Sequence, residues 1–135
     1  MRTIFTQLCL AFSLNTPAGE LTVRFTGVSS PKGEIMVALY ASEDQYKLWK
    51  SCRNAKIPAS GDKTVVFADL PKGNYVVSAY QDKNSNGELD KALFGIPTEP
   101  YGFSRNPFSR LGAPSFDKAA LAIGDDKLET VVDLQ

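Results

Sequence analysis

Residues 82–90 read Asp82-Lys83-Asn84-Ser85-Asn86-Gly87-Glu88-Leu89-Asp90, with oxygen-bearing side chains at alternate positions and glycine at the sixth. Alternate side chains can converge on one hard cation while the glycine permits a sharp bend, which is how a calcium loop begins. In that reading Asp82, Asn84 and Asn86 supply side-chain oxygens, Glu88 its backbone carbonyl, and Asp90 a direct or water-mediated ligand. Leu93 stands where an EF-hand requires a bidentate glutamate, and no pair of helices flanks the segment, so this is not an EF-hand. The competing reading is a hairpin: Asn86-Gly87 suits a type I′ turn, and Asp and Asn satisfy their own backbone in turns. Calcium site and plain turn both stay open. A third use of the carboxylates, Asp82 or Asp90 with Glu99 as an acid–base pair, needs one raised pKa in a cleft. A polar, glycine-rich turn does not provide that.

Other chemistry is narrowed by composition. The 135-residue chain has no histidine, which removes histidine general bases, histidine-activated nucleophiles and histidine metal ligands. Two cysteines make neither a zinc site nor a disulfide framework. Cys52 has only Lys50 and Arg53 nearby to activate it and reads as a spare buried thiol. Lysine plus arginine and aspartate plus glutamate number 15 each, so no net charge points to nucleic acid. The expectation is a non-catalytic protein.

The second segment of interest is residues 94–116, FGIPTEPYGFSRNPFSRLGAPSF, rich in proline and phenylalanine and without a periodic pattern. Connections of this length are usually functional, and its aromatic content argues for burial rather than disorder. It reads either as a crossover capping an open end of the fold or as a ligand platform. In the second case Tyr101, Phe103 and Phe108 offer stacking faces and Arg105 and Arg110 contact anions. A carrier of a small hydrophobic or aromatic ligand follows as the alternative function.

The elements that must position these segments show period-2 alternation. Leu21, Val23 and Phe25 alternate with Thr22, Arg24 and Thr26; residues 35–40 (IMVALY) suit a strand covered on both faces. Further strands fall at 65–67 and 75–80. Residues 120–123 and 130–134 read as a closing pair around Gly124-Asp125-Asp126. One short helix begins at Ser42, with Gln45 three residues on and Glu43 and Asp44 in its first turn. The fold class is therefore all-β: an antiparallel Greek-key β-sandwich of six to seven strands, with one helical segment and one long Pro/Gly/aromatic crossover.

Residues 1–18 read as a signal peptide. Arg2 precedes the apolar run 4–14, and Thr16-Pro17-Ala18 offers a small-residue exit. The run is too short to span a bilayer. Residues 19–135 then form one β-sandwich domain, periplasmic or secreted and monomeric. Its partner is a small molecule or an envelope component, with no nucleic acid and no stable membrane insertion.

Several strings resemble a known family. Phe67-Ala68-Asp69-Leu70-Pro71-Lys72-Gly73-Asn74-Tyr75, the Asp82-x-Asn84-x-Asn86-Gly87 segment, Gly95-Ile96-Pro97-x-Glu99-x-Tyr101-Gly102-Phe103-Ser104 and Gly112-Ala113-Pro114-Ser115-Phe116 resemble the exported bacterial family known as domain of unknown function 2141. The resemblance covers residues 20–135. It implies a periplasmic or secreted domain with no established activity, and supplies no catalytic residues. The Leu-Pro-x-Gly-x-Tyr turn is also similar to prealbumin-like and collagen-binding-B-type sandwiches, at fold level only.

The calcium reading is tested by melting chelator-treated protein with and without the ion. With about 5 mM calcium and a Kd of about 0.1 mM, binding adds roughly 2.3 kcal/mol. That corresponds to a rise of roughly 5–10 °C in a domain of this size. Asp82→Asn and Asp90→Asn erase it, whereas a plain turn shows no rise at all.

Overall fold

The computed structural model describes residues 18–87, 99–107 and 112–135. It is an all-β sandwich. The strands are β1 (Gly19–Thr26), β2 (Glu34–Tyr40), β3 (Arg53–Pro58), β4 (Thr64–Leu70), β5 (Gly73–Asp82), β6 (Tyr101–Phe103), β7 (Leu121–Ile123) and β8 (Lys127–Asp133), with short helices α1 (Glu43–Lys47) and α2 (Phe116–Ala119). One sheet has the order β4-β1-β8; the other runs β3-β2-β5-β6, with β7 pairing a further stretch of β5.

Alternation decides which faces meet. Leu21, Val23 and Phe25 of β1 point inward against Ile35, Val37 and Leu39 of β2, and none of the six is more than 5% exposed. Val65, Phe67 and Leu70 of β4, Tyr75, Val77 and Ala79 of β5, and Ala59, Leu121, Ile123, Val132 and Leu134 complete this core. The Leu-Pro-x-Gly-x-Tyr turn is fastened by Tyr75, whose hydroxyl reaches back to the Pro71 carbonyl, as in a tyrosine corner. Beside this turn the Arg53 guanidinium donates to the carbonyls of Ala68 and Asp69, tying β3 of one sheet to β4 of the other.

Several features differ from the sequence expectation. The short helix expected from Ser42 is there as α1, ending at Lys47, but it is followed by an additional strand: 53–58 pairs along β2 from Leu39↔Arg53 to Glu34↔Pro58. Its half-buried, half-exposed alternation carries Arg53 and Lys56, the composition of a protected edge, so its apolar signal is weak. The crossover is partly regular, containing β6 and α2. Residues 120–134 do not form a hairpin. β7 pairs β5, whereas β8 pairs β1 in parallel, from Glu20↔Lys127 to Thr26↔Asp133. A parallel neighbour needs a long connection, and nearly the whole chain lies between these two strands. Cys52 is exposed rather than buried. Among the described residues, no helix is long and apolar enough to cross a membrane.

β6 joins the two sheets. Tyr101 pairs Tyr80 of β5 on one side and exchanges two backbone hydrogen bonds with Gln135 on the other, at 3.1 and 3.0 Å. Asn106 adds a side-chain clamp, donating to the Val131 carbonyl at 2.9 Å and accepting from the Asp133 amide at 2.8 Å. Gly102 permits the approach: a Cβ there would lie 2.6 Å from the Asp133 carbonyl oxygen and 3.0 Å from Val132 Cγ1. Gly102→Ala is accordingly expected to cost about 1–3 kcal/mol. Thermal unfolding checks this, with a fall of roughly 5–15 °C in melting temperature.

Candidate ligand-binding groove

The outer face of the larger sheet is built in cross-strand rows. Register places Lys56, Met36, Tyr80 and Tyr101 in one row and Asn54, Ala38, Ser78 and Phe103 in the next, with Tyr40 and Val76 paired beyond them. The middle row has small side chains at Ala38 and Ser78, between rows that carry Met36, Tyr80 and Tyr101 on one side and Tyr40 on the other. Small residues between large ones on a pleated face leave a trough. The result is a groove of about 590 Å³ whose lining includes Ala38 and Ser78 on the floor and Tyr40, Trp49, Tyr80 and Tyr101 around it.

Helix α1 supplies one rim. The Ser42 hydroxyl oxygen accepts from the Gln45 amide at 3.1 Å, and Gln45 Oε1 accepts from the Ala41 amide at 2.8 Å, so both ends of this cap are satisfied. Tyr46 anchors the helix over the sheet, 5% exposed, its hydroxyl donating to the Pro114 carbonyl at 2.7 Å. Its ring meets Tyr40, Phe103 and Phe116 edge-to-face. The helix then ends in a Schellman motif: Trp49 N–H donates to Tyr46 O at 3.1 Å and Lys50 N–H to Gln45 O at 2.9 Å. Glycine normally holds the left-handed position of that motif, yet Trp49 occupies it at φ 54°. Its indole remains 56% exposed while touching Tyr40 and Tyr46 at centroid distances of 5.9 and 5.2 Å. A bulky residue kept in a strained conformation at an open rim is a feature that packing alone does not explain.

The loop after β5 forms the other lip. Asp82 is 2% exposed, and its carboxylate accepts from the Asn86 amide at 3.2 Å and the Gly87 amide at 2.7 Å. Asn84 Oδ1 accepts from the same Asn86 amide at 3.3 Å, and Glu99, 6% exposed, accepts from the Lys83 amide at 2.8 Å. Left-handed backbone falls at Ser85 (φ 55°) and Gly87 (φ 78°), not on the Asn86-Gly87 pair that a type I′ turn uses. The folded-back loop brings the Gly87 carbonyl to the Tyr80 hydroxyl, which donates to it at 3.1 Å. Asn84 and Asn86 are exposed. Glu88 and Asp90 lie outside the described residues, and among the described residues no three His, Cys, Asp or Glu gather as a metal site.

The structure brings Tyr101 and Phe103 together on the groove face, their rings 6.1 Å apart. Arg105 does not join them: it is exposed, and its guanidinium donates to the carbonyls of Asp117 and Ala120, fastening α2. Phe108 and Arg110 lie outside the described residues. Tyr40, Trp49, Ser78 and Tyr80 join the groove without a signal in the sequence that sets them apart: Tyr40 and Tyr80 lie in apolar strand runs, where an aromatic residue equally serves packing.

Three phenols are held neutral. Burial, reinforced by neighbouring Tyr40, pushes Tyr46 up to about 12. Burial also raises Tyr40, partly offset by the Ser78 hydroxyl, and raises Tyr75. A raised folded-state pKa stabilises fully below the unfolded value, so stability is lost as pH climbs from the ordinary phenol range through the folded values.

The family model described as "Uncharacterized protein conserved in bacteria (DUF2141)" matches residues 23–131. No curated protein and no solved structure matches the chain.

Two outcomes are expected. Trp49→Gly and Trp49→Ala lose the same ring, but only alanine keeps the left-handed strain, so the glycine variant is more stable by about 1 kcal/mol; paired denaturant melts measure the difference. Stability of the wild type begins to decline near pH 10, and Tyr46→Phe flattens the decline between roughly pH 10 and 12, as denaturant melts followed by circular dichroism at each pH would show.

Proposed function

The chain belongs to this bacterial family of uncharacterised proteins, and from that premise we propose an exported, non-catalytic, monomeric binding module whose groove holds a small uncharged ligand. The observation that carries the reading is the trough over Ala38 and Ser78, rimmed by an exposed, backbone-strained Trp49. Concave, largely apolar sites with a few placed polar groups are where proteins bind small molecules. None of the described lining residues carries a formal charge. A charged ligand would lose hydration there without a compensating partner.

The carrier alternative moves to this groove. Between the sheets, Leu21, Val23, Ile35 and Leu39 are fully buried and fill the interior, while Tyr101 and Phe103 from the crossover lie on the outer face. A carboxylate enzyme is the less favoured reading because Asp82 and Glu99 already accept backbone amides. Calcium at residues 82–90 is a second reading, with a stabilising role. Its support is the convergence of Asp82 Oδ1 and Asn84 Oδ1 on one amide, at 3.2 and 3.3 Å, which places two oxygens on the same side of the loop. Export rests on residues 1–18, of which 1–17 lie outside the described residues.

The test is protein-observed NMR against a library of neutral small molecules. Shifts are expected to cluster at the amides of Ala38, Ser78 and Tyr101, to vanish in the floor-filling Ser78→Phe, and to persist between ~0.05 and ~0.5 M salt. Shifts confined to other surfaces, or none from any compound, overturn the proposal.

A further inference from the structure

We propose that the ligand of this groove is a neutral saccharide, an inference that rests on the groove being a binding site. Two features of the lining bear on ligand class. The first is the polarity of the floor. Ser78 Oγ donates to the Tyr40 hydroxyl at a long 3.5 Å, which leaves lone pairs on Ser78 and the phenolic proton of Tyr40 to engage a ligand. Asn54 Oδ1 accepts from the Ser51 hydroxyl at 2.7 Å, leaving the Asn54 amide hydrogens directed elsewhere. The groove thus offers two donors and an acceptor among apolar walls. A purely apolar or aromatic ligand would cover these groups without pairing them, whereas hydroxyls, which both donate and accept, satisfy all three.

The second feature is the walls. Trp49, Tyr40, Tyr80, Tyr101 and Phe103 place five aromatic rings around a trough that has no charged lining residue among those described. The π faces of aromatic rings are electron-rich. A pyranose ring presents polarised C–H groups on its faces and hydroxyls at its edge, so one molecule meets both the aromatic walls and the polar floor. The site is also open, with Trp49 56% exposed. An open trough covers one side of a ligand, which suits a sugar unit within a longer chain better than an apolar cargo that must be enclosed. Anionic sugars are excluded on the same ground as other charged ligands.

Trp49 is the only tryptophan of the chain, so tryptophan emission, excited beyond the tyrosine absorption band, reports the groove rim. The intact protein is titrated with maltotriose, cellotriose and chitotriose, and separately with the uncharged apolar dye N-phenyl-1-naphthylamine. The expected result is a saturable change in Trp49 emission with at least one trisaccharide. Tyr101→Ala weakens that binding about tenfold. Ser78→Ala, which leaves the fold intact if Tyr101→Ala does not, weakens saccharide binding by about threefold to tenfold through one lost hydrogen bond. Dye binding without any saccharide response overturns the saccharide assignment and leaves the groove reading standing. Silence toward both overturns both. A saccharide response undiminished in Tyr101→Ala and Ser78→Phe also overturns both, because the sugar then binds elsewhere.

Discussion

The close passage of Tyr101–Phe103 between β5 and the C-terminal strand is the constraint on which the rest of the molecule depends. A backbone running this near Asp133 tolerates no side chain at the contact, and Gly102 supplies none. Tyr101 can then pair with Tyr80 on one flank and exchange two amide–carbonyl bonds with Gln135 on the other. Those bonds join the two sheets along one edge of the sandwich and satisfy backbone groups that a bare edge would expose. Because side chains alternate, the inward-facing position is the glycine and the outward-facing ones are Tyr101 and Phe103. Closing the edge and building the aromatic wall are therefore one structural event.

The groove is a consequence of register. Ala38 and Ser78 sit opposite each other only because β2 and β5 pair with Glu34 against Asp82 and Tyr40 against Val76. A slip by one residue would turn Val37, Leu39, Val77 and Ala79 outward and lose the inter-sheet core. The core thus enforces the register, and the register fixes the trough on the opposite face. The core and the groove share the same strands but use alternate residues, so changes on the groove floor leave the interior undisturbed.

The rims are held by different physics. On one side a five-residue helix is pinned by Tyr46, whose hydroxyl is bonded and whose ring sits among other rings. Its Schellman ending directs Trp49 to the groove at the expense of an unfavourable backbone conformation. On the other side the buried Asp82 carboxylate gathers two amides and folds the loop so that Gly87 meets Tyr80. The oxygen-rich loop is thereby an architectural part of the site, whether or not a cation also occupies it.

Alternation in residues 21–26 and the short apolar runs at 35–40, 65–67 and 75–80 determined the all-β class, since these patterns are local; the run at 35–40 reads as covered on both faces, yet Met36 and Ala38 are only partly buried on the groove face. The Ser42 cap was legible for the same reason. So was the family, carried by strings such as Leu70-Pro71-Lys72-Gly73-Asn74-Tyr75, whose tyrosine folds back within the turn itself. Partners far apart in the chain were not legible. Nothing near 127–133 announces a parallel pairing with 20–26, and β3 carries edge-strand polarity that local pattern reads as loop or helix end. Half of the groove is legible in the sequence: Tyr101 and Phe103 stand out as aromatic residues in the crossover, whereas Tyr40, Trp49, Ser78 and Tyr80 have the local pattern of ordinary strand and helix residues. Only tertiary structure could assemble them, because a groove across strands joins residues 38, 78 and 103 through hydrogen-bond register, a relation between segments that no single segment encodes.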